Sequence, residues 1–263
     1  MRVFVVRRKS IVFYSLMLMT AFSVIFANWD SSVYVFNNNS ELNDLPIYSV
    51  DKGDEKVCAI SFDAAWGNED TATLIDILDK HQVKTTFFVV GSWVDKFPES
   101  VKQLSDAGHE IMNHSDTHPH MTQIAKDSMK KEVKECDKKI EKITGQKPFL
   151  FRPPYGDYSP DVIKTLADCG HHTVQWSVDS LDWKDLTSEE IFSRVTENIH
   201  PGAIVLFHNA AKNTPGALPH ILSYLKENGY RIVPVSELIY TDNYSIDHTG
   251  KQIQKFKETK SES

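Results

Sequence analysis

The sequence predicts an α/β fold, a (β/α) barrel that is distorted or incomplete, and three observations support this. Seven short apolar runs alternate with segments of helical spacing, which is typical of parallel βα units. Neither GxGxxG nor GxxxxGK[ST] occurs, so a doubly wound nucleotide-binding fold is the weaker alternative. The chain has 263 residues, 41% of them hydrophobic, which is enough to bury one large core.

The elements follow one another in regular order along the chain. The first strand is predicted at 57–62, and a helix over 71–81 carries Leu74, Ile77 and Leu78 at helical spacing. Further strands are predicted at 85–90, 110–113, 149–151, 172–176, 203–207 and 231–233. Further helices are predicted at 98–107, 128–143, 160–168, 188–198 and 215–228. Pro98 in a first turn and Gly108 after a last turn are typical of helix boundaries.

The N-terminus predicts export. Four basic residues within the first nine precede an uncharged run over 11–27, the pattern of a signal peptide or signal anchor. We favour an uncleaved signal anchor over residues 1–27, because Ile25 is a poor match to the small residue needed before cleavage at Ala27. The remainder is then extracytoplasmic, either membrane-anchored or secreted. Residues 28–54 are interpreted as a linker or lead-in, and 241–263 as a polar tail.

Charge and cysteine content exclude other classes of protein. The net charge of -7 lacks the basic excess of a nucleic-acid binder, so we expect no nucleic-acid partner. The three cysteines have no CxxC spacing, so we interpret them as apolar filling rather than a disulfide framework or zinc knuckle. We expect a monomer.

Polar residues that could take part in catalysis or metal binding lie where the predicted strands end. In a barrel of parallel strands all these positions share one rim, where active sites are built. They are Asp63, His114, His118, Arg152, Asp179, Asp182 and His208. An isolated HxxxH pair is a weak signal, but its coincidence with possible acid and base partners favours a metal site.

Five ordered motifs carry a family resemblance. They are Ser61-Phe62-Asp63, His114-Ser115-Asp116-Thr117-His118, Arg152-Pro153-Pro154-Tyr155-Gly156, Asp179-Ser180-Leu181-Asp182-Trp183 and Leu206-Phe207-His208. Over residues 55–240 the chain resembles the polysaccharide deacetylases, the NodB-homology enzymes of carbohydrate esterase family 4. The segment from Ser61 to Gly67 also resembles their sporulation-associated bacterial branch. The resemblance implies a seven-stranded barrel and metal-dependent removal of N-acetyl groups from an N-acetylglucosamine polymer, such as peptidoglycan or chitin-like oligomers.

The resemblance also implies a role for each residue. His114 and His118 would hold a divalent cation, zinc first and cobalt or another ion as alternatives. Asp63 would be the catalytic base, kept ionised by Arg152, and His208 the general acid, supported by Asp182. The Tyr155 amide would donate a hydrogen bond to the oxyanion. Trp183 and Leu206 would line the pocket that receives the acetyl methyl group.

One position departs from the family pattern. Ala64 stands where the family has a second aspartate that completes the metal site. Asp63 itself, or Glu69 or Asp70 in the following loop, could supply the missing oxygen. The alternative to an enzyme is therefore a non-catalytic, deacetylase-like sugar-binding protein with a degraded metal site. A third hypothesis is hydrolysis of another acyl amide or ester.

The remaining aromatic residues and histidines receive simpler interpretations. Any of Trp66, Trp93, Trp176 and Trp183 could stack on a sugar face, but we expect most of them to be core residues and favour Trp183 alone as a sugar contact. His109 is interpreted as a turn cap, His120 as a substrate-side or structural residue, and His171 and His172 as groups satisfied by packing.

Overall fold

The computed structural model describes residues 45–255, which contain eleven strands and eight helices. The predicted anchor over 1–27 lies outside the described residues. No helix within 45–255 is long and apolar enough to cross a membrane. The strands are β1 (Ser49–Val50), β2 (Val57–Ala64), β3 (Thr86–Val89), β4 (Glu110–Asn113), β5 (Leu150–Phe151), β6 (His172–Thr173), β7 (Val178–Asp179), β8 (Ile204–His208), β9 (Arg231–Val233), β10 (Tyr244–Ile246) and β11 (Lys251–Gln254).

The helices lie between these strands, as the alternation predicted. They are α1 (Thr71–Lys80), α2 (Gly91–Lys96), α3 (Pro98–Asp106), α4 (Lys126–Thr144), α5 (Pro160–Asp168), α6 (Ser188–Asn198), α7 (Thr214–Glu227) and α8 (Val235–Leu238). Local signals set several boundaries. The Ser159 side chain accepts a hydrogen bond from the Val162 amide at the start of α5, and Gly145 ends α4 in a left-handed conformation.

The main sheet is curled and wholly parallel, which confirms the predicted distorted barrel. Its strand order is β6-β5-β4-β3-β2-β8-β7, with β9 paired to the first half of β2. All eight residues of β2 are buried, as expected for a central strand covered on both faces. The register pairs Asp63 with His208 on β8 and with Phe88 on β3, so the strands end together at one rim.

Alternate residues of β2 face two different layers. Ile60 and Phe62 belong to the apolar cluster that includes residues of the surrounding helices, such as Leu74 and Leu78 of α1. Ala59 belongs instead to a second cluster built largely from strand residues, and Ser61 and Asp63 share its side of the strand.

The lead-in closes the gap between two parts of the sheet. Ile47 bridges Val174 just after β6, and Ser49 bridges Ala203 just before β8. β1 pairs with β11, and β11 with β10, in a second, three-stranded sheet. The segment interpreted as a polar tail therefore contains two strands, too short and too polar for the apolar-run criterion to detect.

Two further details differ from the predicted elements. The strand expected over 172–176 stops at Thr173, and a separate short strand, β7, follows at Val178–Asp179. The extra helix α2 comes directly after β3, where only a connection was expected. Both differences lie in the connections, where short segments carry little periodicity.

Candidate active site

The polar residues predicted to share one rim do so. Asp63 and His208 lie near the ends of β2 and β8, His114 follows β4, and Arg152 follows β5. Three of them, Asp63, His114 and Arg152, are almost fully buried. Parallel strands bring together residues that are widely separated in sequence, which confirms the predicted position of this cluster.

Asp63 forms a buried ion pair with Arg152. The Arg152 Nη1 atom lies 2.8 Å from Asp63 Oδ1, and Nη2 donates to Ser61 Oγ at 2.9 Å and to the Gln175 carbonyl at 3.1 Å. Burial alone would raise the pKa of Asp63, but the guanidinium, with the nearby histidines, lowers it below its usual value. The side chain is therefore held ionised.

His114 presents a free nitrogen to Asp63. Its Nδ1 lies 2.6 Å from the Arg152 carbonyl oxygen, which only accepts hydrogen bonds, so we assign the proton to Nδ1. Nε2 then carries the lone pair and lies 3.5 Å from Asp63 Oδ2. Burial lowers the pKa of His114, which favours the neutral form that binds metals.

His118 lies next to His114 at the end of the same loop. The two ring centroids are 5.0 Å apart, and the His118 backbone is left-handed with φ 61°. Burial, followed by the proximity of His114, lowers the pKa of His118 to about 4. Both imidazoles are therefore neutral near pH 7 and available as nitrogen donors. We call residues 113–118 the histidine loop.

His208 and Asp182 form the second titratable unit, here called the acid pair. His208 Nδ1 lies 2.8 Å from Asp182 Oδ1, while the His208 amide and Thr214 Oγ1 donate to Oδ2 at 2.9 and 2.6 Å. Burial would lower the pKa of His208, but the Asp182 carboxylate more than offsets this and raises it. The imidazole therefore retains its proton to a higher pH than usual.

Exposed aromatic side chains surround these groups. Among residues 45–255 the exposed large hydrophobic side chains are Trp66, Tyr155 and Trp183, each more than half accessible. Trp66 and Trp183 line a cavity of about 250 Å³ next to His208. Tyr155 has a left-handed backbone in its turn, and Leu206 is buried on β8.

Comparison with known proteins assigns this arrangement to a family. The family described as "Polysaccharide deacetylase" matches residues 51–174. The chain is 35% identical over 190 residues to the peptidoglycan-N-acetylmuramic acid deacetylase PdaA of Bacillus subtilis, covering 71% of this chain and 72% of PdaA. The chain belongs to the polysaccharide deacetylase family.

Other relatives of this deacetylase-family chain are more varied. It is 36% identical to the uncharacterized protein YlxY of Bacillus subtilis over 74% of its own length, but spans only 60% of YlxY. The structure of wild-type BA3943, a CE4 family pseudoenzyme from Bacillus anthracis, matches with a TM-score of 0.72 and 34% identity, covering 81% of this chain and 74% of BA3943. A BA3943 mutant with restored enzymatic activity matches with a TM-score of 0.72 and 38% identity, covering 76% of this chain and 72% of the mutant.

The deacetylase family implies a metal, and the residues fit it incompletely. The neutral, adjacent imidazoles of His114 and His118 suit a divalent cation. Within residues 45–255, however, no group of three or more His, Cys, Asp or Glu side chains is arranged to hold a metal. Ala64 is fully buried and packs in the apolar cluster around Phe62.

The loop carboxylates considered as substitutes are placed differently. The Asp70 side chain contacts the loop that precedes α7, where its Oδ2 accepts a hydrogen bond from the Ala210 amide at 2.8 Å. Glu69 is exposed. Neither belongs to a metal-holding group with the histidines in the described part of the chain.

Sequence reasoning missed several contributors to this deacetylase-family site. Ser61 and Gln175 hold Arg152, and Thr214 holds Asp182. Only Ser61, a polar residue within an apolar strand, left a signal in the sequence. Trp66 is not the favoured sugar contact in the sequence analysis, but its ring centroid lies 6.5 Å from that of His118 and 5.9 Å from that of His208.

The other aromatic and histidine assignments had mixed outcomes. Trp93 is a core residue, as predicted. His171 pairs with Asp137 at 3.1 Å, so a buried carboxylate contributes in addition to packing. His120 stacks on Tyr155 with ring centroids 4.1 Å apart, which places it at the edge of the site.

Proposed function

We propose that this chain is a metal-dependent N-deacetylase that hydrolyses the acetamido group of N-acetylated hexosamines in peptidoglycan or chitin-like oligomers. One observation carries the proposal. An ionised carboxylate, Asp63, and an imidazole that retains its proton, His208, are register partners on the adjacent strands β2 and β8 and lie at the same rim. Amide hydrolysis needs a base for water and an acid for the leaving amine. A protein that only binds sugar needs neither.

Each side chain has a role that its surroundings support. Asp63 accepts the proton of the attacking water, and Arg152 keeps its carboxylate ionised and oriented. His208 donates a proton to the departing amine, with Asp182 fixing its tautomer. The Tyr155 amide stabilises the developing oxyanion, and such donors contribute about 3–4 kcal/mol elsewhere. Trp183 and Leu206 form the walls around the acetyl methyl.

His114 and His118 would hold the divalent cation, with zinc the first choice and cobalt a substitute. When bound, such a cation polarises the acetyl carbonyl and lowers the pKa of water. The two-histidine set, lacking a carboxylate at Ala64, should bind the ion more weakly than a three-ligand site. We also place the activity outside the cytoplasm, with residues 1–27 as the anchor.

A second candidate function is supported by Ala64 and by the likeness to BA3943. A deacetylase-like protein that binds N-acetylated glycan without hydrolysing it would keep the fold and the aromatic rim. BA3943, whose structure is similar to that of this chain, is described as a CE4 family pseudoenzyme.

Acetate release separates the two candidates. The purified protein is incubated with N-acetylglucosamine oligomers and with peptidoglycan, after addition of zinc, cobalt or a chelator. We expect acetate with added metal and none with the chelator. Glycan binding without acetate under every metal condition would contradict the enzyme and support the binding protein.

A further inference from the structure

The histidine loop has a costly backbone conformation. Ser115 and His118 both adopt positive φ angles, 70° and 61°, although neither is glycine. Residues with a β-carbon rarely adopt this region, and they persist there only when the surroundings determine the conformation. Within the loop, Asn113 Oδ1 accepts from the Ser115 amide and Ser115 Oγ accepts from the His118 amide, and contacts from other elements hold the segment between them.

The carbonyl side of the loop is held by the first turn of α2. The Gly91 amide donates to the Ser115 carbonyl at 2.9 Å, and the Ser92 amide donates to the Asp116 carbonyl at 2.8 Å. The two segments approach so closely that a β-carbon at position 91 would lie 2.1 Å from Asp116 Oδ1. A side chain at position 91 would displace the Asp116 carboxylate, and its β-carbon would lie only 3.1 Å from the Asp116 Cα, so glycine allows this close approach.

The two amides between the left-handed residues, those of Asp116 and Thr117, are held by a single carboxylate, that of Glu132 on α4. Its Oε2 accepts from the Asp116 amide at 2.9 Å and from the Thr117 amide at 2.7 Å. Its Oε1 accepts from Thr117 Oγ1 at 2.8 Å. Three hydrogen bonds from two adjacent residues converge on one side chain, midway between the two left-handed positions.

The hydrogen bonds of Glu132 go to Asp116 and Thr117, which separate the two histidines in sequence, and not to the imidazoles themselves. We propose that Glu132 is a positioning residue that fixes the relative placement of the His114 and His118 imidazoles. The role rests on the proposed function insofar as those imidazoles bind a metal. It follows the general behaviour of groups that orient ligands, whose loss costs about 10- to 100-fold in metal affinity or activity.

Three variants test the role, with cobalt as the probe. Glu132→Ala removes all three acceptors, whereas Glu132→Gln retains one oxygen for the two amides. Glu135→Ala is the matched control, because it lies on the same helix and its recorded ion pair is with Lys138 on that helix. We expect about 10- to 100-fold weaker cobalt binding for Glu132→Ala with an altered visible spectrum, about threefold weaker binding for Glu132→Gln, and unchanged affinity for Glu135→Ala.

Two results would overturn the proposal. One is parent-like cobalt affinity in Glu132→Ala, and the other is a loss in Glu132→Gln equal to that in Glu132→Ala, which would make charge rather than geometry responsible. If Glu132→Ala fails to fold, Thr117→Val removes a single bond of the three and should weaken cobalt binding by about threefold. An unchanged affinity in that variant would also overturn the proposal.

Hydrogen exchange separates this proposal from the proposed function. The Asp116 and Thr117 amides should exchange about tenfold faster or more in Glu132→Ala, but not in Glu135→Ala. If the parent binds no cobalt, the metal part of the proposed function fails, and exchange alone decides the role of Glu132. Unchanged exchange in Glu132→Ala then overturns it.

Discussion

In the acid pair both carboxylate oxygens of Asp182 accept hydrogen bonds. Oδ1 accepts from the His208 ring, and Oδ2 accepts from the His208 amide and from Thr214 Oγ1. In the histidine loop Glu132 holds two backbone amides, and among the described residues Asp63 is the acid that lies beside a ring nitrogen, at 3.5 Å from His114 Nε2. Both regions are therefore held by hydrogen bonds, but they differ in the groups that face the proposed site. The proposed acid and base are both present, whereas the proposed metal-binding set lacks one carboxylate.

This difference distinguishes two properties of the proposed site, the ionisation states of its acid and base and the completeness of its set of metal ligands. Arg152 lowers the pKa of Asp63 and Asp182 raises the pKa of His208, so side chains of this chain favour the ionisation states that the proposed base and acid need. The following variants test this separation, in order of decreasing expected effect.

Asp63→Asn should give the largest effect. The amide cannot accept the proton of water, so turnover should fall by about 10²- to 10⁴-fold. Cobalt uptake should stay close to that of the parent, because the histidines are unchanged. Acetate release and metal analysis on the same preparation check both expectations. Loss of metal together with turnover would show that Asp63 is the missing ligand rather than the base.

Ala64→Asp should complete the metal-binding set. A direct ligand contributes more than an orienting group, so cobalt or zinc affinity should rise by roughly 100-fold or more. The substitution also buries a carboxylate, so added metal should raise Tm more in this variant than in the parent. Ala65→Asp, one residue away, is the matched control. Equal affinities for the parent and Ala64→Asp would mean that another group already fills the position.

Asp182→Asn should change the acid pair alone. Asp182 raises the pKa of His208, so the protonated, donating imidazole is lost only as pH rises through that raised value. Without the negative charge the pKa falls, and the alkaline decline of kcat should begin at lower pH. Activity near pH 7 should drop roughly tenfold. A pH–rate profile checks this, with exposed Asp185→Asn as control, and an unshifted alkaline limb would contradict the assignment of His208 as the acid.

Trp66→Ala should produce the smallest change. The indole is more than half exposed between His118 and His208, so its removal should weaken binding of N-acetylglucosamine oligomers by about 1 kcal/mol, roughly fivefold. Trp66→Phe, which keeps an aromatic face, should retain most of the affinity. Titration calorimetry measures the glycan affinity of both variants. Equal affinity for the parent and Trp66→Ala would mean that the indole does not bind glycan and only shields the neighbouring histidines from solvent.

Much of the fold and the position of the site could be predicted, because both depend on local patterns. The apolar runs that form β2, β4 and β8 end directly before or at Asp63, His114 and His208, and parallel pairing through β3 then brings these residues together. Contacts between distant loops left no such pattern. The sequence leaves Trp66 open between core and rim, because a tryptophan beside an alanine occurs in both environments.

The supporting residues were missed for a related physical reason. Thr214 looks like an ordinary residue in the first turn of a helix, and Glu132 is one of many charged residues on α4. Their roles depend on three-dimensional approach, to Asp182 in one case and to the histidine loop in the other. Spacing along the chain carries no information about such contacts.

The pairing of β1 with β11 has a consequence for how the chain folds. Ser49 and Lys251 are register partners although about two hundred residues separate them, so this contact has one of the largest sequence separations possible in the described chain. Long-range closures of this kind are slow, and they require the late part of the chain to be present. During synthesis the lead-in that bridges Val174 and Ala203 must therefore wait for the last strand before its final partner exists.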